Sequence, residues 1–240
     1  MPTPSSKRAV VLLSGGLDSA VALATARAEG FEAYALSVDY RQRHAHELAC
    51  ARRVAASLGA ARHAVVGVDL RALGGSALTD DAIGVPDAHT GAPSDQHEAI
   101  PVTYVPNRNM TMLSLAIGWA ETLGAAEVFI GVNAVDYSGY PDCREAFIRA
   151  AEHAAALGTR AGVEGAPVLI RTPLIAMTKA EIIREGARLG VDFALTSSCY
   201  NPDPQGRACA ACDSCAIRRR GFAEAGVPDP TQYAHEGAAR

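Results

Sequence analysis

A glycine-rich turn between two regular segments is the feature that most constrains how this chain can fold. Residues 14–19 read Ser-Gly-Gly-Leu-Asp-Ser, after an apolar run at residues 9–13 and before a helical run at residues 20–28. Glycines let backbone N–H groups converge on an anion, and a helix start adds donors and the positive end of its dipole. The turn follows neither the Walker A pattern nor Gly-x-Gly-x-x-Gly. It therefore predicts an anion-binding strand–turn–helix unit, with a tight turn capped by Asp18 as the alternative.

The length and charge of the chain narrow its possible functions. A chain of 240 residues can bury one sizeable core, which suits one α/β domain with a small appendage. The formal net charge of −4 and the lack of an obvious basic face argue for small-molecule substrates and no nucleic-acid partner. The polar start does not resemble a signal peptide, and no apolar run reaches the length of a membrane span. We therefore expect a cytoplasmic protein with no membrane partner.

Apolar periodicity predicts that strands and helices alternate along the chain. The predicted strands are residues 9–13, 32–39, 63–68, 127–132 and 168–171, and the predicted helices are residues 20–28, 44–58, 110–123, 140–157 and 178–189. Thr178 and Glu181 form the sequence pattern of a capping box. The alternation predicts an α/β fold with a Rossmann-like parallel sheet and helices on both faces. Residues 70–106 break the rhythm; we expect a partly ordered lid or dimer contact there, with a disordered insertion as the alternative.

A cluster of cysteines near the C-terminus predicts a metal site. Its members are Cys199, Cys209, Cys212 and Cys215. Two cysteines separated by two residues can reach one metal, and in a cytosolic chain such a cluster favours metal binding over disulfides. Four thiolates close a tetrahedral shell, so we expect a structural Zn²⁺; an iron–sulfur cluster and reduced free cysteines are the alternatives. The expected units are a nucleotide-binding domain at residues 1–195 and a zinc-binding appendage at residues 196–240, with a frayed tail after Pro228.

A polar and aromatic stretch follows the fourth predicted strand, at the edge where open parallel sheets bind ligands. Its side chains suit a planar heterocycle, and an ordinary Gly/Pro surface turn is the alternative. The candidate substrate-binding residues there are Asn133, Asp136, Tyr137, Ser138, Tyr140 and Asp142. Arg108 is a further substrate candidate, because its guanidinium can pair with a phosphate or carboxylate. Asn107 or Asn109 is expected to cap the next helix, and Lys179 is either a surface residue or a phosphate contact.

Motifs along nearly the whole chain, taken in order, resemble the 7-cyano-7-deazaguanine synthase family. The glycine-rich turn is similar to the Ser-Gly-Gly-x-Asp-Ser signature of the pyrophosphate-loop ATP pyrophosphatases. Further matches lie at residues 39–48 and 172–174. The remaining motifs are Val-Pro-x-Arg-Asn at residues 105–109, Gly-Val-Asn-x-x-Asp-Tyr-Ser-Gly-Tyr-Pro-Asp-Cys-Arg at 131–144, Ser-Cys-Tyr at 198–200 and Cys-x-x-Cys-Asp-x-Cys-x-x-Arg at 209–218.

The resemblance implies an adenine nucleotide alpha hydrolase-like fold and an ATP-dependent ligase. In that family's reaction, ATP adenylates the carboxylate of 7-carboxy-7-deazaguanine, ammonia displaces AMP, and a second adenylation of the amide gives the nitrile. ATP and Mg²⁺ are the implied cofactors, and the implied catalytic residues are Ser14, Asp18 and Ser19. The implied nucleotide-binding residues are Leu13, Ser14, Gly15, Gly16, Leu17, Asp18, Ser19, Ala20, Val21, Ala22 and Leu23.

The chain departs from the family's pattern at two positions, and rival interpretations remain open. Arg41 lies where the family usually has glycine, and Ala211 lies where a glycine is common in the cysteine knuckle. One rival is a tRNA thiolase or lysidine-type ligase, which needs an RNA-binding region, and another is a non-catalytic nucleotide or zinc-dependent interaction module. The nitrile could also feed a secondary metabolite or a DNA modification. We expect a homodimer.

Overall fold

Parallel strands form a five-stranded sheet at the centre of the protein. The structure, a computed structural model, describes residues 7–41, 46–87, 100–135 and 139–234. The strands are β1 (Arg8–Leu12), β2 (Glu32–Asp39), β3 (Arg62–Gly67), β4 (Glu127–Phe129) and β5 (Leu169–Arg171). Their order is β3-β2-β1-β4-β5, and each neighbouring pair is parallel. The predicted Rossmann-like parallel sheet is confirmed.

Helices cover both faces of this sheet. Those in the described residues are α1 (Leu17–Ala28), α2 (His46–Ser57), α3 (Arg108–Leu123), α4 (Glu145–Gly158), α5 (Arg160–Val163), α6 (Lys179–Arg188) and α7 (Asp213–Ala225). Successive side chains of a strand point to opposite faces. Val11 of β1 therefore packs in one core with Ile182 of α6, while Val10 packs in another with Leu113 of α3 and Ile148 of α4. Within the described ranges, no helix is long and apolar enough to cross a membrane.

The connections around β1 position the functional site. β1 lies between β2 and β4 and pairs with both, through Val10 opposite Tyr34 on one side and Val128 on the other. The chain passes from β1 through α1 to β2, and it reaches β4 only after α3, so the strand order reverses beside β1. Ligands of open parallel sheets bind in the crevice outside the carboxyl ends of the strands at such a point.

Two predicted element bounds are wrong at that same edge. β2 has its predicted bounds, but β4 ends at Phe129 instead of residue 132, and α4 begins at Glu145 instead of residue 140. After Phe129 the chain passes the first turn of α1: an ideal Cβ on Gly131 would lie 2.9 Å from the carbonyl atoms of Asp18. Residues 141–143 form a separate 3₁₀ turn before α4. Both differences arise where the chain leaves the sheet to line the site.

The interrupting segment is ordered where the structure describes it. The Ala77 N–H donates to the Val102 carbonyl at 2.9 Å, which joins the two described parts of the segment. Leu78 and Val105 pack with Tyr40 in a small core beside the carboxyl end of β2. Residues 88–99 lie outside the described residues. The described residues of this segment are therefore ordered, as expected, while its role as a lid or as a dimer contact stays a prediction.

The C-terminal segment packs on the rest of the chain. Phe222 of α7 lies in the same core as α1 and contacts Phe193 edge to face. The expected frayed tail is wrong as far as Ala234, because the Asp229 carboxylate accepts hydrogen bonds from the Tyr233 hydroxyl (2.7 Å) and Arg218 Nε (3.4 Å). Main-chain hydrogen bonds also join Ala208 to this tail. The boundary at residues 195/196 between the nucleotide-binding domain and the C-terminal appendage stays a prediction.

Candidate active site

The glycine-rich turn is held in place by close backbone packing. Gly15 has a φ of +92°, in the left-handed region that glycine adopts readily. An ideal Cβ on Gly15 would lie 2.2 Å from the Glu47 carbonyl oxygen and 2.7 Å from the Ala51 nitrogen, both in the α2 backbone. The Gly15 carbonyl also accepts a hydrogen bond of 3.0 Å from the Ser197 N–H. The turn is therefore fixed between α2 and the C-terminal segment, and only glycine fits at its centre.

The two predicted serines hydrogen-bond within the turn. The Ser19 hydroxyl donates to the Gly16 carbonyl at 3.0 Å and accepts from the Ser14 N–H at 3.2 Å. The Ser14 hydroxyl accepts from the Gly16 N–H at 3.2 Å and lies 3.1 Å from the Ser19 hydroxyl. Ser19 is buried and Ser14 is exposed. The turn is therefore preorganised, with the Ser14 side chain at its accessible edge.

Asp18 forms an ion pair that the sequence did not reveal. Its two carboxylate oxygens lie 2.6 and 2.8 Å from the Lys179 ammonium, which comes from the first residue of α6. Lys179 is only 6% exposed, so the surface alternative for this residue is wrong. The capping alternative for Asp18 is also wrong, since Gly16 is the N-cap of α1 and no side chain caps it. The predicted capping box that begins α6, formed by Thr178 and Glu181, is confirmed.

A cavity of about 240 Å³ opens above this turn. It joins the turn to the segments that follow β2 and β4, to the start of α3, and to the C-terminal segment. Its polar and ionisable lining residues are Ser14, Asp18, Ser19, Tyr40, Glu47, Thr103, Arg108, Asn109, Asn133, Tyr140, Cys143, Ser197, Ser198, Cys199, Tyr200 and Ser214. The structure thus brings the predicted phosphate turn and part of the predicted substrate loop into one site.

The predicted nucleotide segment reaches the cavity only in its first part. Leu13, Ser14, Gly16, Leu17, Asp18 and Ser19 line the cavity. The next four residues are buried in the core of the domain: Ala20, Val21, Ala22 and Leu23. Their side chains pack against the sheet and do not reach the cavity, and their assignment as nucleotide-binding residues stays a prediction. The sequence does not mark this change because the helical run continues unbroken from the turn into the core.

Arg108 forms a charged centre on the cavity wall. Burial lowers the pKa of Arg108, but the neighbouring Tyr40 and Asp142 raise it by more, so the guanidinium stays charged. Burial raises the pKa of Tyr40, against the opposing charge of Arg108. Burial also raises the pKa of Glu47 to about 7, again opposed by Arg108. The wall therefore combines a fixed positive charge with a carboxyl group that can exchange a proton near neutral pH.

The predicted substrate residues divide into three groups. Tyr140 lines the cavity and shares a hydrogen bond of 2.5 Å with the Thr103 hydroxyl. Asn133 also lines it, and its side-chain amide donates to the Leu174 carbonyl at 3.4 Å, which ties the loop to the turn before α6. Asp142 is buried behind the lining. The others, Asp136, Tyr137 and Ser138, lie outside the described residues.

Asp142 and Asn109 hold two parts of the cavity wall together. The Asn109 side-chain amide donates to the Asp142 carbonyl at 2.9 Å, and the Asn109 N–H donates to its Oδ2 atom at 3.3 Å. Among the described residues, Oδ1 of this buried carboxylate has no hydrogen-bond partner. Of the two residues expected to cap α3, Asn107 is the N-cap, with a φ of +58°, although its side chain makes no capping hydrogen bond.

The four clustered cysteines form a site that could hold a metal. Their sulfur atoms all lie within 4.8 Å of one another, and none is in a disulfide. Tetrahedral coordination at Zn–S distances of about 2.3 Å places sulfurs about 3.8 Å apart; Cys209 and Cys215 are 4.0 Å apart. The N–H groups of Asn201 and Cys209 donate to the Cys199 sulfur at 3.3 and 3.2 Å, an arrangement that stabilises thiolates.

The two departures from the family's pattern have different structural consequences. Arg41 has a φ of +62°, in the left-handed region, and glycine, which is usual at this position in the family, adopts that region most readily. The Arg41 N–H donates to the Asp39 carboxylate at 3.0 Å, which stabilises the turn locally. In the cysteine knuckle, the left-handed residue is Ala210 with a φ of +64°, whereas Ala211 does not have a positive φ.

Comparison with known proteins identifies the family. A family model described as "Queuosine biosynthesis protein QueC" matches residues 8–226 of the chain. The chain belongs to the QueC family. Among QueC relatives, the 7-cyano-7-deazaguanine synthase of Ralstonia nicotianae is 63% identical over 227 residues, which cover 95% of this chain and 99% of the relative. That of Anaeromyxobacter dehalogenans is 62% identical over 232 residues, which cover 97% and 98% of the two chains.

A solved structure supports the fold assigned to this QueC family member. A 4-thiouridine synthetase, solved as an RNA complex with bound ATP, superposes with a TM-score of 0.50 over 92% of this chain and 50% of that one, at 17% identity. This likeness concerns the fold alone. Sequence reasoning missed Glu47 and Ser197 as site residues, and it named Lys179 without its ion pair with Asp18. Lys179 and Ser197 reach the turn from distant positions in the sequence. Glu47 appeared in the sequence only as part of the family motif at residues 39–48, with no role assigned to it.

Proposed function

We propose that this chain is an ATP-dependent ligase that converts 7-carboxy-7-deazaguanine and ammonia to 7-cyano-7-deazaguanine. The observation that carries the proposal is the single cavity in which the phosphate turn, Arg108 and Tyr140 meet. Relatives at 61–63% identity bear the name of this synthase, which does not favour a tRNA thiolase or lysidine-type ligase. The reaction consumes two ATP for each nitrile, because both oxygens of the carboxylate leave on AMP.

The turn and its neighbours supply the electrostatics of adenylation. A carboxylate oxygen of the substrate attacks the α-phosphorus of ATP, and pyrophosphate leaves. The open N-terminus of α1 offers N–H donors and the positive end of its dipole to the phosphates. The Lys179 ammonium, held by Asp18, adds a positive charge beside them. Because both groups are fixed before the substrates bind, they favour the charge that develops on the leaving pyrophosphate.

The rest of the cavity orients the acid substrate. Arg108 keeps its charge and can pair with the substrate carboxylate until that group is adenylated. Tyr140 offers a ring that can contact a flat heterocycle, and Asp142, which is buried behind the lining, supports this wall through its hydrogen bond with Asn109. We propose that Asp136, Tyr137 and Ser138 complete this part of the site. Such positioning supplies much of the rate in a reaction of two bound substrates.

We propose that the four cysteines bind Zn²⁺ and that Mg²⁺ enters with ATP. A shell of four thiolates leaves no open position, so a zinc ion here supplies structure and not chemistry. Cys199 also lines the cavity, so the cluster braces one cavity wall. Mg²⁺ supplies charge neutralisation at the phosphates when bound. Its protein ligand is proposed to be Asp18, whose carboxylate has lone pairs beyond those facing Lys179.

The proposed function also implies a cellular location, a set of partners and an oligomeric state for the enzyme. We place the activity in the cytoplasm, where ATP is available and where cysteine thiols stay reduced for metal binding. The proposed partners are small molecules, with no nucleic acid, and the assembly is a homodimer. Size-exclusion chromatography with light scattering tests the last point: a mass near twice 24.9 kDa supports the dimer, and a mass near 24.9 kDa contradicts it.

The function is tested by product analysis. The protein is mixed with ATP, Mg²⁺, ¹⁵N-ammonium and 7-carboxy-7-deazaguanine, and the products are analysed by mass spectrometry. The proposal predicts a nitrile with one ¹⁵N, together with AMP and pyrophosphate. Formation of ADP, or absence of the nitrile, contradicts it. Asp18→Ala is expected to abolish turnover while the zinc at the four cysteines is retained; loss of zinc together with activity would give Asp18 a structural role instead.

A further inference from the structure

Glu47 places a carboxyl group on the cavity wall directly beside the phosphate turn. It lies in the first turn of α2, and its carbonyl oxygen is the atom that an ideal Cβ on Gly15 would approach to 2.2 Å. Its side chain is partly buried and lines the cavity. Among the described residues, none forms a hydrogen bond or an ion pair of 4 Å or less with this carboxylate. It is therefore available to a substrate.

The groups that face Glu47 come from three elements. Arg108 at the start of α3 lowers its pKa, while burial raises it by more, to about 7. Tyr40, after β2, is also close enough to interact with its charge, and so is Cys50 one turn further along α2. Both have raised pKa values and are neutral at pH 7. Glu47 is thus the group in this set that changes protonation near neutral pH, which is where a general base is most effective.

The other acidic groups of the cavity are committed elsewhere. Both oxygens of Asp18 face the Lys179 ammonium at 2.6 and 2.8 Å. Burial and the charge of Asp142 raise the pKa of the Cys143 thiol to about 12, so it stays protonated and is not a nucleophile or base at pH 7. The proposed reaction nevertheless needs a proton acceptor, because ammonia is mostly ammonium at neutral pH and an ammonium has no lone pair for attack.

We propose that Glu47 is the proton acceptor for the nitrogen atom in both halves of the reaction. In the first half, ammonium transfers a proton to the Glu47 carboxylate, and the resulting ammonia attacks the acyl adenylate. AMP leaves with the C–O bonding pair, and the new NH₃⁺ group passes one proton to the phosphate of the departing AMP, which gives the amide; Glu47 then releases its proton to solvent. In the second half, the amide oxygen attacks ATP, one N–H proton leaves with pyrophosphate, and the Glu47 carboxylate takes the remaining N–H proton of the adenylated amide. The N–H electron pair then forms the third C–N bond while AMP leaves again. This assignment rests on the proposed ligase function.

The test separates adenylation from nitrogen transfer. Glu47→Gln is compared with the unaltered protein and with Glu145→Gln, a matched control in the exposed first turn of α4. Pyrophosphate exchange into ATP, driven by the acid without ammonia, reports adenylation and correct folding. Amide and nitrile formation at fixed total ammonia, followed against pH, reports nitrogen transfer. Glu47→Asp, which keeps a carboxylate, is measured in the same way.

The expected result is a split between the two readouts. Glu47→Gln keeps exchange within about threefold but loses about 10²–10⁴-fold in amide formation at pH 7, the usual contribution of a general base. The deficit shrinks as pH rises, because free ammonia then forms without the enzyme, and Glu47→Asp recovers part of the rate. Equal loss of both readouts, or a deficit independent of pH, overturns the assignment. Absence of exchange in the unaltered protein overturns the proposed function, and this assignment with it.

Discussion

Replacing Gly15 by alanine perturbs the phosphate turn in two ways that can be measured separately. The first is the backbone: a side chain at a φ of +92° costs about 1–2 kcal/mol. The second is crowding, since the new Cβ would lie 2.2 Å from the Glu47 carbonyl oxygen and α2 must move away. Overpacking of this kind costs about 1–3 kcal/mol. The sum for Gly15→Ala is a loss of about 2–5 kcal/mol in the free energy of unfolding.

Gly30→Ala supplies the matched control. Gly30 has a φ of +85°, but nothing lies within 4 Å of its ideal Cβ. This substitution therefore carries the backbone cost alone, about 1–2 kcal/mol. A chain of this length loses about 2–4 °C in Tm for each kcal/mol. The Tm is expected to fall by about 2–8 °C in Gly30→Ala and by about 4–20 °C in Gly15→Ala.

The assay is urea unfolding followed by circular dichroism, together with ATP binding by calorimetry. We expect Gly15→Ala to lose the larger free energy and to weaken ATP binding, because the movement of α2 displaces the turn. Gly30→Ala, at the far end of α1, is expected to bind ATP normally. Equal destabilisation of the two variants, with ATP binding intact in both, would refute the argument that α2 fixes the turn.

Three further predictions concern charged and metal-binding groups. Lys179→Met leaves Asp18 unpaired in a partly buried site, so urea unfolding is expected to show a loss of about 3–5 kcal/mol in the free energy of unfolding. The double variant that adds Asp18→Asn is expected to lose less. Equal losses in the two variants would contradict a buried ion pair. Cys212→Ser is expected to lower the metal content, measured by plasma mass spectrometry, and to increase proteolysis of the C-terminal segment; full metal content would contradict the four-sulfur site. Because the pKa of Glu47 is raised from 4.5 to about 7 on folding, the folded state binds more protons in this window. As pH rises from about 4.5 to about 7, the free energy of unfolding should therefore fall by up to about 3 kcal/mol relative to that of Glu47→Gln. A difference between the two proteins that does not change with pH would contradict the raised pKa.

Local pattern was sufficient to predict most of the fold. The alternating apolar residues of β2 and the Thr178 capping box were predicted with correct bounds, because their signals lie within a few neighbouring residues. The four clustered cysteines meet in space, since two residues separate Cys209 from Cys212 and Cys212 from Cys215, and Cys199 precedes them by one loop. The parallel sheet followed from the order of strands and helices.

The contacts that build the site could not be predicted in the same way. Lys179 meets Asp18 across 161 positions of sequence, so nothing near either residue marks the pair. Asn107 or Asn109 was expected to cap α3, and Asn107 does so, but nothing nearby in the sequence shows that Asn109 binds Asp142, which follows β4. The run after Ser19 continues as helix, and sequence gives no sign of where contact with the cavity ends and the core begins. Each of these features depends on how distant segments pack at one edge of the sheet.

The fate of the substrate's carboxylate oxygens tests the central claim most directly. The acid is prepared with both carboxylate oxygens as ¹⁸O and converted with ATP and ammonia, and AMP is analysed by mass spectrometry. If the cavity activates the carboxylate and then the amide by adenylation, each nitrile formed is accompanied by two AMP molecules that each carry one ¹⁸O. Unlabelled AMP, or label in phosphate or ADP, would contradict the account.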